Sequence, residues 1–120
     1  GYAHARICSL LRAMEAEGVT VAPQSQVDMS LLSGETETAL IKQISQFCEE
    51  IRLAARDYDP SHINRYLQEL AGCFHRFYNA CRIKGAEPAV QAARLKLADD
   101  TRVVLKNGLA LIGVDAPEKM

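Results

Sequence analysis

Apolar residues recur at steps of three and four along most of the chain, and this pattern predicts helices. The clearest apolar stripe consists of Ile63, Leu67, Leu70, Phe74, Phe77 and Cys81. This spacing places the six side chains on one face of a helix, which we expect to face the core. Pro60 suits a first helical position because its missing N–H costs nothing there, and the predicted helix runs from residue 60 to about 84.

Three further stretches show the same helical period. They cover residues 2–17, 33–55 and 88–112, with Gly18 and Gly113 as the expected stops of the first and last. No stretch predicts a strand convincingly. Four helices joined by mostly short connections predict an all-α fold, an antiparallel helical bundle of about four main helices.

Residues 19–34 interrupt the periodicity with Pro23 and a patch rich in Gln and Ser, so we expect a mobile loop there. A length of 120 residues suits one domain, residues 1–120, with a core of its own. No N-cap precedes the first helix, and we therefore expect the chain to be a piece of a longer protein.

The distribution of charged residues along the chain is more informative than the net charge. The formal net charge of −1 argues against strong, indiscriminate nucleic-acid binding. However, residues 33–59 contain six acids and three bases, whereas residues 60–106 contain eight bases and four acids. This segregation gives weak support for one positive face and a partner of opposite charge.

Several function classes find no support in the sequence. The four cysteines form no CxxC pair and are typical of free thiols in or near the core, and the three histidines lack the spacing of a metal site. No glycine-rich phosphate loop and no catalytic constellation is present. No apolar run approaches the ~20 residues of a membrane span and no signal peptide is apparent, so we expect a cytoplasmic protein with no membrane partner.

The polar back of the long helix carries the candidate chemistry. Its ridge consists of His75, Arg76, Tyr78, Asn79 and Arg82. On the first helix, Tyr2 and Arg6 lie one turn apart on the same face. Aromatic rings that stack on bases, with cations near the phosphates, suit single-stranded nucleic acid. The alternative is a solvated polar surface behind a buried aromatic seam, which needs no ligand.

Three blocks of the sequence together carry a resemblance to a known family. They are YAHARICS, LAGCFHRFYNACRI and ARLKLADDTRVVLKNGLALIGVDAPEKM, in this order. In this combination they resemble the C-terminal anticodon-binding domain of bacterial arginyl-tRNA synthetases, the helical domain of class I synthetases named for its DALR motif. The resemblance covers nearly the whole chain except residues 19–32. The family usually ends in PERM, and this sequence ends in PEKM, which keeps the charge but loses a forked donor.

The resemblance implies a role in attaching arginine to its tRNA. In this family an upstream Rossmann-type domain uses ATP and Mg and carries the HIGH and KMSKS-like signatures, which are absent from this chain. The domain itself is therefore expected to lack a catalytic site and a cofactor. Its implied partners are the anticodon stem-loop of tRNA-Arg and the catalytic domain of the same synthetase, and we expect a monomer.

The resemblance also implies roles for particular residues. Tyr2 and Phe74 are expected near the anticodon bases, and Met120 close to the same loop. The residue pattern adds Arg6, His75, Arg76, Tyr78, Asn79 and Arg82 as partners of phosphates or base edges. Two alternatives remain: a helical anticodon domain of another synthetase, of the glycyl β-subunit type, and a non-catalytic protein-interaction bundle.

Overall fold

Five helices make up the described part of the chain, which comprises residues 2–113, 116 and 118 of a computed structural model. They are α1 (Tyr2–Ala16), α2 (Glu35–Ser45), α3 (Phe47–Asp57), α4 (Ser61–Ala80) and α5 (Pro88–Leu111). No strand occurs among these residues, so the prediction of an all-α bundle is confirmed. Within the same residues, no helix is both long and apolar enough to cross a membrane.

The core is built around α4, which contacts each of the other four helices. Its buried side chains are Ile63, Tyr66, Leu67, Leu70, Phe74 and Phe77, five of which belong to the apolar stripe. Helix α5 packs tightly against α4, because a Cβ at Gly108 would lie only 2.5 Å from Leu67 Cδ2. Glycine is therefore the residue that lets these two helices pack.

The predicted helix over residues 33–55 is in fact two helices, α2 and α3, which meet at Gln46. The hydroxyl of Tyr66 donates a hydrogen bond to the Gln43 carbonyl, which would otherwise accept from Phe47 in a continuous helix. The Gln46 N–H instead bonds to Gln43 in a tighter turn. The Phe47 ring then stacks on Tyr66, with ring centroids 5.6 Å apart. A buried tyrosine on another helix thus causes the break.

Helix α4 ends at Ala80, not near residue 84 as predicted, because Cys81 adopts an extended conformation with φ −121° and ψ 116°. Side chains of α5 stabilise this ending. Gln91 donates to the Ile83 carbonyl at 2.9 Å, and Arg94 donates to the Arg82 carbonyl at 2.6 Å. The chain can therefore leave the helix without losing backbone hydrogen bonds.

The Arg94 side chain also joins α5 to the start of α2. Its Nε lies 3.0 Å from the buried carboxylate of Glu37, whose other oxygen accepts from the Gly34 N–H at 3.0 Å. Gly34 is thus the N-cap of α2, and the helix begins two residues after the predicted start at residue 33. Because the same guanidinium holds the Arg82 carbonyl, this ion pair fixes the end of α4 relative to two other helices.

The predicted bounds of the first and last helices are confirmed within a residue or two. Gly18 and Gly113 adopt positive φ values of 84° and 78° after α1 and α5. The loop of residues 19–34 contains two short 3₁₀ turns and buries Leu32 in the core; its mobility stays a prediction. All four cysteines are free, but Cys48 is exposed, so its expected place in or near the core was wrong.

Candidate nucleic-acid interface

The first turns of α1 lie against the C-terminal half of α4. There, Arg6 Nη1 lies 3.1 Å from Nδ1 of His75. The guanidinium carbon of Arg6 lies 5.1 Å from the ring centroid of Tyr78, above the ring. Three predicted site residues from two distant parts of the sequence are therefore in direct contact.

This contact bears on the protonation state of His75. A guanidinium can only donate hydrogen bonds, so the contact requires Nδ1 of His75 to accept, as it does in a neutral ring with its proton on Nε2. Burial, and then the positive charge of Arg6, lower the pKa of His75 below its ordinary value of 6.5. The geometry and the electrostatics thus both favour a neutral imidazole.

Phe74 lies inside the core, and its expected place near the anticodon bases stays a prediction. Its ring is completely buried, with 0% of its surface exposed, because residue 74 belongs to the stripe that faces the core. A ring in this position offers no face on which a base can stack. Instead, it stacks on Tyr78, with centroids 5.8 Å apart and planes inclined by 27°, and meets the edge of His75 at 6.0 Å. We call Arg6, Phe74, His75 and Tyr78 the arginine–aromatic cluster.

Tyr2 remains a candidate for base stacking. It is the first residue of α1, one turn before Arg6, and 73% of its surface is exposed. Met120 lies outside the described residues, so its expected place near the same loop stays a prediction. The nearest described residue, Glu118, accepts a hydrogen bond through its carbonyl oxygen from Arg12 on α1, at 2.8 Å.

Arg76 lies apart from the arginine–aromatic cluster although it follows His75 directly. Its Nη2 lies 3.4 Å from Cys73 Sγ, and a Cβ at Gly72 would come within 3.3 Å of its Nη1. The missing side chain at residue 72 therefore leaves room for Arg76 to fold back along the helix. The guanidinium forms part of an open groove of about 480 Å³, lined by Gln43, Arg65, Gln68, Glu69, Gly72, Cys73 and Arg76.

Asn79 and Arg82 are exposed at the end of α4, beyond the arginine–aromatic cluster. In the described part of the chain, Arg6, Arg65, Arg76 and Arg82 form no ion pair with a carboxylate. Arg65 was not among the predicted site residues. It precedes Arg76 by three turns on nearly the same side of α4, and this spacing was the signal that could have identified it.

No group of three or more His, Cys, Asp or Glu side chains that could hold a metal ion occurs among residues 2–113, 116 and 118. Several guanidinium N–H donors lie on this side of the molecule, and Arg6 adjoins the half-buried ring of Tyr78. Such groups suit anions and the stacking of bases.

The structure defines a helical-bundle domain with aromatic and cationic side chains where α1 meets α4. The family model described as "DALR anticodon binding domain" matches residues 1–120, and the chain belongs to this family.

Curated relatives are similar over almost the whole chain. It is 50% identical over 119 residues to an arginine–tRNA ligase of Carboxydothermus hydrogenoformans and 46% identical over 119 residues to one of Acetivibrio thermocellus. Each match covers 99% of this chain but only 21% of the relative, so the chain spans about one fifth of the length of these ligases.

A solved structure shows the same fold. Arginyl-tRNA synthetase of Thermus thermophilus is similar with a TM-score of 0.81 and 32% sequence identity. The match covers 99% of this chain and 20% of that synthetase. The resemblance seen in the three sequence blocks is thereby confirmed.

Proposed function

We propose that the chain is the anticodon-binding domain of an arginine–tRNA ligase and binds the anticodon stem-loop of tRNA-Arg. The single observation that carries the proposal is the family match over residues 1–120, together with relatives that are arginine–tRNA ligases. This observation favours the arginine enzyme over the alternative of a glycyl-type anticodon domain. Catalysis, with its ATP and Mg, belongs to another domain of the ligase, and we expect a monomer in the cytoplasm.

The surface chemistry supports RNA as the partner. Tyr2 is exposed and can stack on an unpaired base, which is worth ~1–3 kcal/mol by alanine substitution in proteins that bind single strands. Arg6 lies one turn away and has N–H donors to spare. Arg76 on α4 and Arg82 just beyond its end suit phosphates of the same loop.

An amide NMR titration of the 120-residue chain at low salt tests the proposal. The ligands are the anticodon stem-loop of tRNA-Arg, the same stem with a scrambled loop, and the stem-loop of tRNA-Gly. We expect shifts at Tyr2, Arg6 and residues 75–82 with the first ligand only.

The other outcomes discriminate between the alternatives. Shifts with tRNA-Gly alone indicate a domain of the glycyl type. Equal shifts with all three ligands indicate nonspecific attraction of phosphates to the cations. If no ligand causes shifts, the proposal fails, and a protein-interaction bundle becomes the better interpretation.

A further inference from the structure

His75 has an unusual position for a residue predicted to contact RNA. It is half-buried, and the edge of its ring meets Phe74 with centroids 6.0 Å apart. Its Nδ1 is already engaged by Arg6 at 3.1 Å. The acceptor of this imidazole is thus directed at another side chain of the protein.

Arg6, in contrast, is held at two points. Its Nη1 donates to His75, and its guanidinium lies over the ring of Tyr78 at 5.1 Å. A free arginine side chain loses considerable rotamer entropy when it binds a ligand, and a side chain that is already ordered loses less. Of its five N–H donors, only one is used by His75, so four remain for a ligand.

We propose that His75 is a positioning residue, which holds the Arg6 guanidinium against Tyr78 and so orders it for hydrogen bonding to the anticodon loop. This role rests on the proposed function and deepens it, because it assigns RNA contact to Arg6 and an indirect role to His75. The support comes from two successive contacts, of Phe74 with His75 and of His75 with Arg6. The completely buried ring of Phe74 lies in an edge-on contact with the imidazole, and the imidazole is in hydrogen-bond contact with the half-buried guanidinium of Arg6.

Two variants of His75 separate positioning from packing. His75→Asn places an amide oxygen near the position of Nδ1 and keeps an acceptor, whereas His75→Leu keeps the bulk and loses the acceptor. We expect His75→Leu to weaken binding of the tRNA-Arg stem-loop about three- to tenfold, the range of one hydrogen bond's net contribution. His75→Asn should bind within about twofold of the original chain, and circular dichroism should show both variants folded.

A double-mutant cycle with Arg6→Ala identifies the route of the effect. If His75 acts through Arg6, His75→Leu causes no further loss of affinity in the Arg6→Ala chain. A full further loss there means direct RNA contact by His75 and overturns the proposal. Equal binding by the original chain and His75→Leu overturns it too, with the proposed function intact. If the original chain does not bind the stem-loop, both fail together.

The tautomer of His75 gives a test without RNA. Nitrogen-15 NMR at pH 7.5 should show the proton on Nε2, because Nδ1 accepts from Arg6. A proton on Nδ1 overturns the positioning role, whatever the affinities of the variants. This measurement needs no substitution and therefore does not depend on how a variant folds.

Discussion

Helices α3 and α4 differ in the face that they turn to the core and in the face that they turn to solvent. Helix α4 buries six side chains, and on its outer side Arg65 and Arg76 form no ion pair with a carboxylate of the described residues. Helix α3 buries no side chain completely. Its Arg52 lies 2.7 Å from Glu49, and its Arg56 lies 2.8 Å from Asp57. Only one of the two helices thus combines firm anchoring with unneutralised cations.

This difference explains how a protein with a net charge of −1 can offer a cationic surface. A phosphate that approached α3 would have to separate Arg52 from a carboxylate that already accepts two of its hydrogen bonds. At α4 the guanidinium groups need no such exchange. On the proposed function, we therefore expect the pairing of charges, more than their number, to decide which surface attracts RNA.

The largest effect should come from the anchoring of α4. Phe74→Ala removes a completely buried ring, and we expect it to lower the free energy of unfolding by about 3–5 kcal/mol. The matched variant Ile51→Ala on α3 removes a half-buried side chain and should cost clearly less. Urea unfolding followed by circular dichroism measures both. If Phe74→Ala weakens RNA binding but leaves stability unchanged, Phe74 contacts RNA after all.

The sequence was sufficient to predict the fold class and most of the helix bounds. The apolar stripe of α4 and the glycines after α1 and α5 depend on local geometry, which the order of residues determines. The sequence did not predict the break at Gln46, because this break depends on Tyr66, which lies 20 positions further along the chain. The Tyr66 hydroxyl donates a hydrogen bond to a backbone carbonyl that a continuous helix would use. For Phe74 the helical period predicted the core and is confirmed, whereas the place near the anticodon bases that the family resemblance implies stays a prediction.

The candidate site was predicted as a set of residues but not as an arrangement. The helical period places His75 and Tyr78 on one side of α4. It cannot show that Arg6, 69 positions before His75, meets both of them, because this contact depends on how α1 crosses α4. Nor does the order of residues reveal that Arg76 folds back over Gly72.

The next largest effect is on RNA affinity, and it distinguishes two exposed tyrosines, Tyr2 on α1 and Tyr58 at the end of α3. They expose 73% and 94% of their surfaces, so both could stack on a base. We expect Tyr2→Ala to lose ~1–3 kcal/mol of affinity for the tRNA-Arg stem-loop, and Tyr58→Ala to lose none. Fluorescence anisotropy with a labelled stem-loop measures the difference. Similar losses in the two variants would mean that any exposed tyrosine contributes equally to binding. The distinction between the two regions would then be lost.

A smaller effect concerns the salt dependence of binding. Each phosphate contact contributes about 0.7–0.9 to the slope of log K against log salt concentration. We expect Arg76→Ala to lower the slope by about this amount. Arg52→Ala should leave it unchanged, because Glu49 already neutralises Arg52. Affinities between 50 and 300 mM KCl, about the range in which such slopes are resolved, suffice for the comparison. An unchanged slope in Arg76→Ala means that this arginine contacts no phosphate.

The smallest effect is electrostatic and needs no RNA. Burial and the charge of Arg6 hold the pKa of His75 below 6.5, so the folded domain binds this proton less readily than the unfolded chain. The stability that results is fully present above pH 6.5 and is lost as the pH falls through the folded pKa. Arg6→Gln removes the charge but keeps N–H donors, and we expect it to raise the pKa of His75 without restoring 6.5, because burial persists.

Proton NMR of the imidazole between pH 5 and 8, roughly the range in which histidines titrate, measures this pKa in both chains. The matched control is Arg52→Gln, which removes a positive charge from α3, where Glu49 already balances it. If Arg52→Gln raises the pKa of His75 as much as Arg6→Gln does, the histidine responds to overall charge. If only Arg6→Gln raises it, the imidazole and the guanidinium are coupled in solution, as the positioning role of His75 requires.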